Sequence, residues 1–463
     1  MRIAAPASLR NLFCHHGGIS DHRERWLVVA PPEIRDLLQQ TNKLTTVVLS
    51  RRSNRLQEEL TIGDNALNLH RYPSTTPRFH SLDSLRAGMM FLGIVLHGVL
   101  PYTGIRMWPV NDPTTHPIFW DAIVFAIHVF RMLLFFVLAG FFAHLLYERL
   151  GAAGFLYHRT KRILLPFAIG WLALYLPTII GVQYGIHVRD PHPWVEVSHY
   201  FSSGLFLSQS YTMHLWFLYY LYCSYLLCLA ILILTPSQLR TRLQQPITMS
   251  FRAVTNSRWR AFILAVPTCA LLYVSPIASF GAPEGWLPTI IDLATYGYFF
   301  AFGWYLFAEI DLLLRLQQHA VTHLTIAFVL GPIAFRLHGL LRHEPRVHIP
   351  LIAMTAIICW CLIIGLIGIG NRYWNGGSPH VRYFADASYW VYLVHYPLVI
   401  WLQIALLFFH MPVILKFILV ISATTVLSLA SYHLFVRYTL IGKLLNGTRH
   451  RTTGATVECP TVT

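Results

Sequence analysis

From about residue 83 to 436 the chain runs through one long apolar stretch after another. Many of them are long enough to cross a hydrocarbon core of ~30 Å, which takes ~20 helical residues. A water-soluble fold can bury one or two such helices, but not ten in series. The spans lie near 84–101, 119–145, 163–182, 212–234, 260–279, 289–310, 319–338, 348–369, 387–408 and 412–435. The expected fold class is therefore all-α, a polytopic integral membrane protein of about ten transmembrane helices. Composition agrees: 55% of the residues are hydrophobic and only 12% charged, about half the charge of an ordinary globular chain.

A net charge of +15 raises nucleic acid as a partner, but the placement of the charges argues against it. With the N-terminus inside, 28 Lys and Arg fall in the tails and alternate loops of that side, and four (Arg106, Arg189, Arg342 and Arg346) fall outside. Three more (Arg131, Arg336 and Lys416) lie within spans. Positive charge gathers on the cytoplasmic side of membrane proteins, so both termini are expected in the cytoplasm. The chain is expected to sit as a multi-pass protein of the cell membrane, the inner membrane in a Gram-negative cell. Residues 1–80 read as a partly disordered cytoplasmic tail with one short helix around Pro32 to Gln40; 81–438 form the membrane domain, and 439–463 a second cytoplasmic tail. Five of the seven cysteines (Cys223, Cys228, Cys269, Cys359 and Cys361) lie inside apolar segments, the others being Cys14 and Cys459, so they read as buried thiols rather than a disulfide framework. No metal site is expected, because no His/Asp/Glu set has ligand spacing within one span.

The first span, Leu82-Asp-Ser-Leu-Arg86-Ala-Gly-Met-Met-Phe-Leu-Gly-Ile-Val-Leu-His97, places Arg86 and His97 eleven residues apart. That is almost three helical turns, so both project from one face, roughly 16 Å apart along the axis. Arg86 falls at the cytoplasmic boundary, where it can meet a phosphate. His97 falls deep in the bilayer, where an ionisable residue is costly and defaults to a functional reading. Histidine also suits general-base work near neutral pH. The plainer reading stands beside this one: with 24 His in the chain, a lone intramembrane His is often a helix-to-helix hydrogen bond, and Arg at a helix start is ordinary topology. Asp83 either orients Arg86 or caps the helix start.

Other motifs follow in order. They are Phe135-Phe-Val-Leu-Ala-Gly-Phe-Phe142, His158-Arg159-Thr-Lys161-Arg162-Ile-Leu-Leu-Pro166, His214-Leu-Trp216-Phe-Leu-Tyr-Tyr220 and Ala387-Ser-Tyr-Trp-Val-Tyr392-Leu-Val-His395-Tyr-Pro397. Together with the Arg86–His97 pair, this series over about 350 residues resembles the membrane acyltransferase 3 family, with Ala139 where the family has Ser. The His214–Tyr220 element and Tyr296-Gly-Tyr-Phe-Phe-Ala-Phe-Gly-Trp304 are most similar to the branch called glucans biosynthesis protein C, which the family associates with succinyl transfer onto periplasmic glucans.

The resemblance implies an O-acyltransferase that moves an acetyl or succinyl group from a cytoplasmic acyl-CoA to a hydroxyl of a cell-envelope glycan or other acceptor. Acyl-CoA is then a donor substrate, with no permanently bound cofactor. Its phosphates would meet Arg86 and the cluster Arg159, Lys161 and Arg162, guanidinium being well matched to phosphate; the cluster reads equally as a topology signal. His97 would act as base on the acceptor hydroxyl or assist passage of the acyl group. Arg336 and His338 sit against the charge rule near the outer end of span seven, with Arg342 and Arg346 nearby, and are candidates to hold an anionic acyl group or the acceptor. His128 and Arg131, three residues apart in span two, share a face and are candidates to line the same cavity. His395 matches a family motif but reads as well as a packing hydrogen bond. Competing classes are a transporter or exporter without covalent chemistry, disfavoured by the lack of visible inverted repeats, and an envelope scaffold, for which His97 would be dispensable. The acyl group, the acceptor and the oligomeric state are not legible.

Overall fold

A computed structural model describes residues 79–446 except 105–107, 113–116, 275–278, 342, 375 and 377. The expected N-terminal tail with its short helix, the end of the C-terminal tail, Arg106, Arg342, Cys14 and Cys459 lie outside the described residues. Among the described residues every regular element is helical. In chain order the principal helices are α1 His80–Val99, α2 Pro117–His128, α3 Arg131–Arg159, α4 Leu165–Ile186, α5 Pro193–Ser202, α6 Trp216–Leu234 and α7 Ser237–Asn256. They continue with α8 Arg260–Tyr273, α9 Ile290–Ala308, α10 Ala320–Leu340, α11 His348–Tyr373, α12 Pro379–Leu406 and α13 Val413–Ser431.

Eight stretches are long and apolar enough to cross a membrane. One of them, Pro117–Ile186, is 70 residues long. A straight helix of that length would reach roughly 105 Å, so it holds more than one crossing. Gly151, at φ 64° and ψ −177°, breaks it near the middle, in a backbone region that only glycine enters without strain. The eight stretches thus carry nine of the ten expected spans. The tenth, expected at 260–279, is the shorter α8, whose 14 residues come to only about 21 Å.

Two further expectations change. The span expected at 119–145 is not continuous: the helix stops at His128 and restarts at Arg131 across a Phe130 of non-helical backbone. Irregular backbone at membrane depth is tolerated where it lines a cavity, and this break lies against one. The segment between the spans expected at 212–234 and 260–279 is not a plain loop but mostly helix, α7, with Arg240, Arg242 and Arg252 and no acidic residue.

The core is built on close helix packing. A Cβ at Gly140 on α3 would lie 1.9 Å from the Phe300 carbonyl oxygen of α9, and one at Gly303 on α9 would lie 1.8 Å from that of Val137. These reciprocal glycines bring two backbones into contact, the usual route to tight packing where lipid supplies no hydrophobic drive between helices. Aromatic rings fill the space around the crossing; Phe136, for example, stacks on Tyr296 at 4.5 Å. Outward faces carry exposed apolar side chains such as Leu172, Phe328 and Ile290, as a lipid-facing surface requires. α1 packs against α12, α11 and α13, which places His97 in the middle of the assembly.

Candidate active site

α1 carries both ends of the candidate site. At its start, Arg86 pairs with Asp83 at 3.2 Å. The Arg86 guanidinium lies 5.8 Å from the centre of the Phe142 ring, while Arg159 donates to the Phe142 carbonyl at 3.1 Å. Arg159 also packs over Tyr225 at 4.6 Å. Arg162 lies within electrostatic reach of both arginines. It sits on the wider π turn Thr160–Leu164, whose Arg162 carbonyl accepts a 2.9 Å bond from the Tyr389 hydroxyl; such turns recur at functional sites. Arg86, Arg159 and Arg162 thus converge from two segments. Lys161 does not join them: it is exposed and lies over the Tyr157 ring at 5.8 Å.

Three turns further along α1 a cavity of about 390 Å³ opens, within the range of ~300–1,000 Å³ usual for small-ligand sites. His97, His128, Arg131, His214, Glu284 and His395 line it. The His97 ring stacks on Trp108 at 5.6 Å, meets Tyr396 edge-on at 5.0 Å and lies 5.3 Å from His395. Gln403 holds this arrangement, donating to the His97 carbonyl at 2.8 Å and accepting from the Trp108 indole N–H at 2.8 Å. His97 Nδ1 is buried without a protein partner.

Two more imidazoles are fixed beside it. His214 Nε2 lies 3.0 Å from the Leu393 carbonyl; a carbonyl can only accept, so Nε2 carries the proton and Nδ1 keeps a lone pair. By the same reasoning His395 donates from Nδ1 to the Tyr392 carbonyl at 2.7 Å and keeps its lone pair on Nε2. Neither lone-pair nitrogen has a protein partner. The turn that presents His214 is strained, with Met213 at φ 52°, a backbone region that side chains rarely enter and that clusters at functional sites. No group of three or more side chains able to hold a metal ion is assembled among the described residues.

Arg131 enters from the start of α3 and rests on Gly93 of α1, where a Cβ would lie 2.7 Å from its Nη1. It makes one hydrogen bond, to Met132 Sδ at 3.3 Å, and no carboxylate among the described residues pairs with it. A cation left unpaired in a cavity attracts negative charge on a ligand. His128 joins Arg131 on the cavity wall, as their spacing suggested, although through a helix break rather than one helical face. Arg336 and His338 are elsewhere: Arg336 is exposed on α10 and His338 packs beside Phe125 at 5.6 Å, and neither lines the cavity.

His214 and His395 were visible in motifs but carried no assigned chemistry, since a sequence does not show that α12 and the turn before α6 face α1. Trp108, Gln403, Tyr396 and Glu284 were not singled out. Gln403 and Glu284 are polar residues in or beside apolar spans, which was the available signal for them.

A family model described as "Acyltransferase domain" matches residues 79–433 of the chain. Curated relatives include the glucans biosynthesis protein C of Salmonella gallinarum (strain 287/91 / NCTC 13346) and that of Salmonella heidelberg (strain SL476), each 27% identical over 326 residues, 70% of this chain and 82% of the relative. The protein of the same name from Salmonella paratyphi B (strain ATCC BAA-1250 / SPB7) is 28% identical over the same lengths. No solved structure shows a significant match.

Proposed function

The chain belongs to the membrane acyltransferase 3 family, a group of multi-pass membrane acyltransferases, and on that premise we propose that it transfers an acyl group from cytoplasmic acyl-CoA to a hydroxyl of a cell-envelope glycan. The observation that supports this reading best is the pairing on one helix of an arginine cluster at its start with a cavity holding His97 and an uncompensated Arg131, roughly 16 Å further on. The excess of Lys and Arg in alternate segments supports a cytoplasmic position for the arginine cluster. There Arg86, Arg159 and Arg162 take the phosphates of the donor, and the thioester end reaches along α1 into the cavity. The three curated relatives share the name glucans biosynthesis protein C, which favours a glucan as acceptor.

In the reaction, His97 accepts the proton of the acceptor hydroxyl through a ring nitrogen bearing a lone pair. The hydroxyl oxygen attacks the thioester carbonyl carbon. Arg131 faces the negative charge that develops on the carbonyl oxygen, a role worth roughly 3–4 kcal/mol for a single preorganised donor. The carbon–sulfur bond then breaks, and the departing thiolate takes the proton from His97. The products are an O-acyl ester and free CoA, with proton and electron pairs balanced. Trp108 and Tyr396 hold the His97 ring between them, so it reacts without first having to orient.

The test is transfer of labelled acyl groups from acyl-CoA to cell-envelope glycans by membranes carrying the wild type, His97→Ala or Arg86→Ala. His97→Ala is expected to lose roughly 10²–10⁴-fold in rate, and Arg86→Ala to raise the KM for acyl-CoA. Full transfer by folded His97→Ala protein would remove it from the chemistry. No labelling by the wild type, with export of an unmodified solute, would establish the transporter class instead.

A further inference from the structure

The cavity has a second ionisable side chain without a partner among the described residues, Glu284. Glu284 comes from the loop between α8 and α9, which is pinned at three points. Thr212 donates to the Glu284 carbonyl through its N–H at 2.8 Å and its hydroxyl at 2.7 Å. The Tyr296 hydroxyl donates to the Gly281 carbonyl at 2.6 Å, and the Tyr219 hydroxyl to that of Trp286 at 2.9 Å. All of these bonds engage the main chain, so the carboxylate is held in place without being used. No hydrogen bond or ion pair to a described residue occupies it, yet it faces the cavity that contains His97.

Its neighbours are aromatic. Tyr211 and Tyr396 lie within electrostatic reach of the carboxyl, and Trp216 lines the same wall. Tyr396 in turn meets the His97 ring edge-on at 5.0 Å, so one side chain lies within reach of both the carboxyl and the base. A carboxylate with two free oxygens beside aromatic faces suits a polyhydroxylated ring. Its C–H face packs on aromatics while adjacent hydroxyls donate to the two oxygens. A thioester donor offers no such set of hydroxyls at its reacting end. Loop 281–286 also lies at the end of the bundle opposite Arg86, because it meets the turn preceding α6 and the cavity there is closed by Pro109 and Trp108, which follow α1.

We propose that Glu284 is the acceptor-binding residue of this cavity, a carboxylate that takes hydrogen bonds from paired sugar hydroxyls and sets one hydroxyl against His97. This deepens the acyltransferase reading and rests on it. It also accounts for two groups of opposite charge type in one cavity, with Arg131 on the acyl carbonyl and Glu284 on the acceptor. Burial pushes the Glu284 carboxyl up to about 7, with no cation among the described residues beside it to offset the desolvation.

The experiment is equilibrium binding of a labelled linear β-glucan oligosaccharide to the full-length protein in the absence of acyl-CoA, comparing wild type with Glu284→Gln and Glu284→Ala. Steady-state transfer is measured alongside. Binding is expected to weaken at least tenfold in both variants, with a matching rise in the KM for oligosaccharide and a KM for acyl-CoA within twofold of wild type. Glu284→Gln keeps the shape of the side chain, and melting of each variant verifies its fold. Unchanged oligosaccharide binding in both variants, no binding by the wild type, or an equal rise in both KM values would overturn the assignment. Glutamate-dependent binding with no acyl transfer by the wild type would sink the transferase reading while leaving the sugar site standing.

Discussion

Gly93→Ala is the smallest change that separates the position of Arg131 from the integrity of the fold. The added methyl would lie 2.7 Å from Arg131 Nη1, 3.5 Å from His395 Nε2 and 3.7 Å from Arg131 Cζ. Non-bonded contacts of this kind settle near ~3.5 Å, so the guanidinium must retreat by roughly 0.8 Å. It can do so because it is the end of a flexible side chain, so the backbone need not move. The helix itself gains, since alanine is favoured over glycine in a helix by about 0.8–1.0 kcal/mol. A shift of ~1 Å in a positioning group can lower a rate ~10²-fold, so Gly93→Ala is expected to fold at least as stably as wild type and to lose roughly 10- to 100-fold in kcat. Gly88→Ala, on the same helix with no atom within 4 Å of its added methyl, is the control and should keep full activity. The assay is labelled acyl transfer by purified protein at saturating acyl-CoA and acceptor, with melting temperatures for both variants. Wild-type kcat in Gly93→Ala would show that the place of Arg131 is irrelevant to turnover. Equal loss in Gly88→Ala would trace the effect to α1 as a helix rather than to the displaced guanidinium.

Lys416 donates to Asp112 at 2.8 Å with both side chains buried. Lys416→Met is expected to destabilise by about 3–5 kcal/mol by removing the cation of a buried ion pair, and pairing it with Asp112→Leu should recover most of that in thermal unfolding. Gln403→Leu removes the bond to the His97 carbonyl and the partner of the Trp108 indole; kcat should fall with little change in either KM, and a rise in KM alone would contradict a positioning role. The Glu284 carboxyl has a folded pKa of about 7 against an ordinary 4.5, so the folded state holds its proton more tightly than the unfolded one. Stability from this group is then fully present below about pH 4.5 and lost as pH rises through 7, by at most ~3.4 kcal/mol at ~1.36 per unit, less where solvent enters the cavity. Glu284→Gln should flatten that part of the melting profile, and an unchanged profile would contradict the shift. Over the same window wild-type acceptor affinity should strengthen as the carboxylate forms, with Tyr211, Tyr392, Tyr396, His97, His128, His214, His395 and Arg131 as the other ionisable groups of the cavity.

The sequence by itself determined the membrane class, because hydropathy is a local property: twenty apolar residues span a bilayer whatever their neighbours. It marked Arg86 and His97 as one helical face for the same reason, since the helical period is fixed by the backbone. The ordered motifs gave the family, and the match over residues 79–433 bears it out. Span lengths were less legible. Gly151 gave no sign of adopting a positive φ, and nothing between His128 and Arg131 announces a break, because Val129 and Phe130 are ordinary helix residues. Only tertiary structure decided what His97 meets. His214 is 117 residues away and His395 nearly 300, and their approach depends on which face α12 turns to α1. Tertiary structure also separated the basic residues, gathering Arg159 and Arg162 beside Arg86, leaving Lys161 exposed and keeping Arg336 and His338 off the cavity wall. The physical reason is the same in each case. Charge and hydropathy are carried by single residues and can be read one at a time, whereas an unpaired ionisable group such as Arg131 or Glu284 is defined by the partner it lacks, and only the packed helices show that.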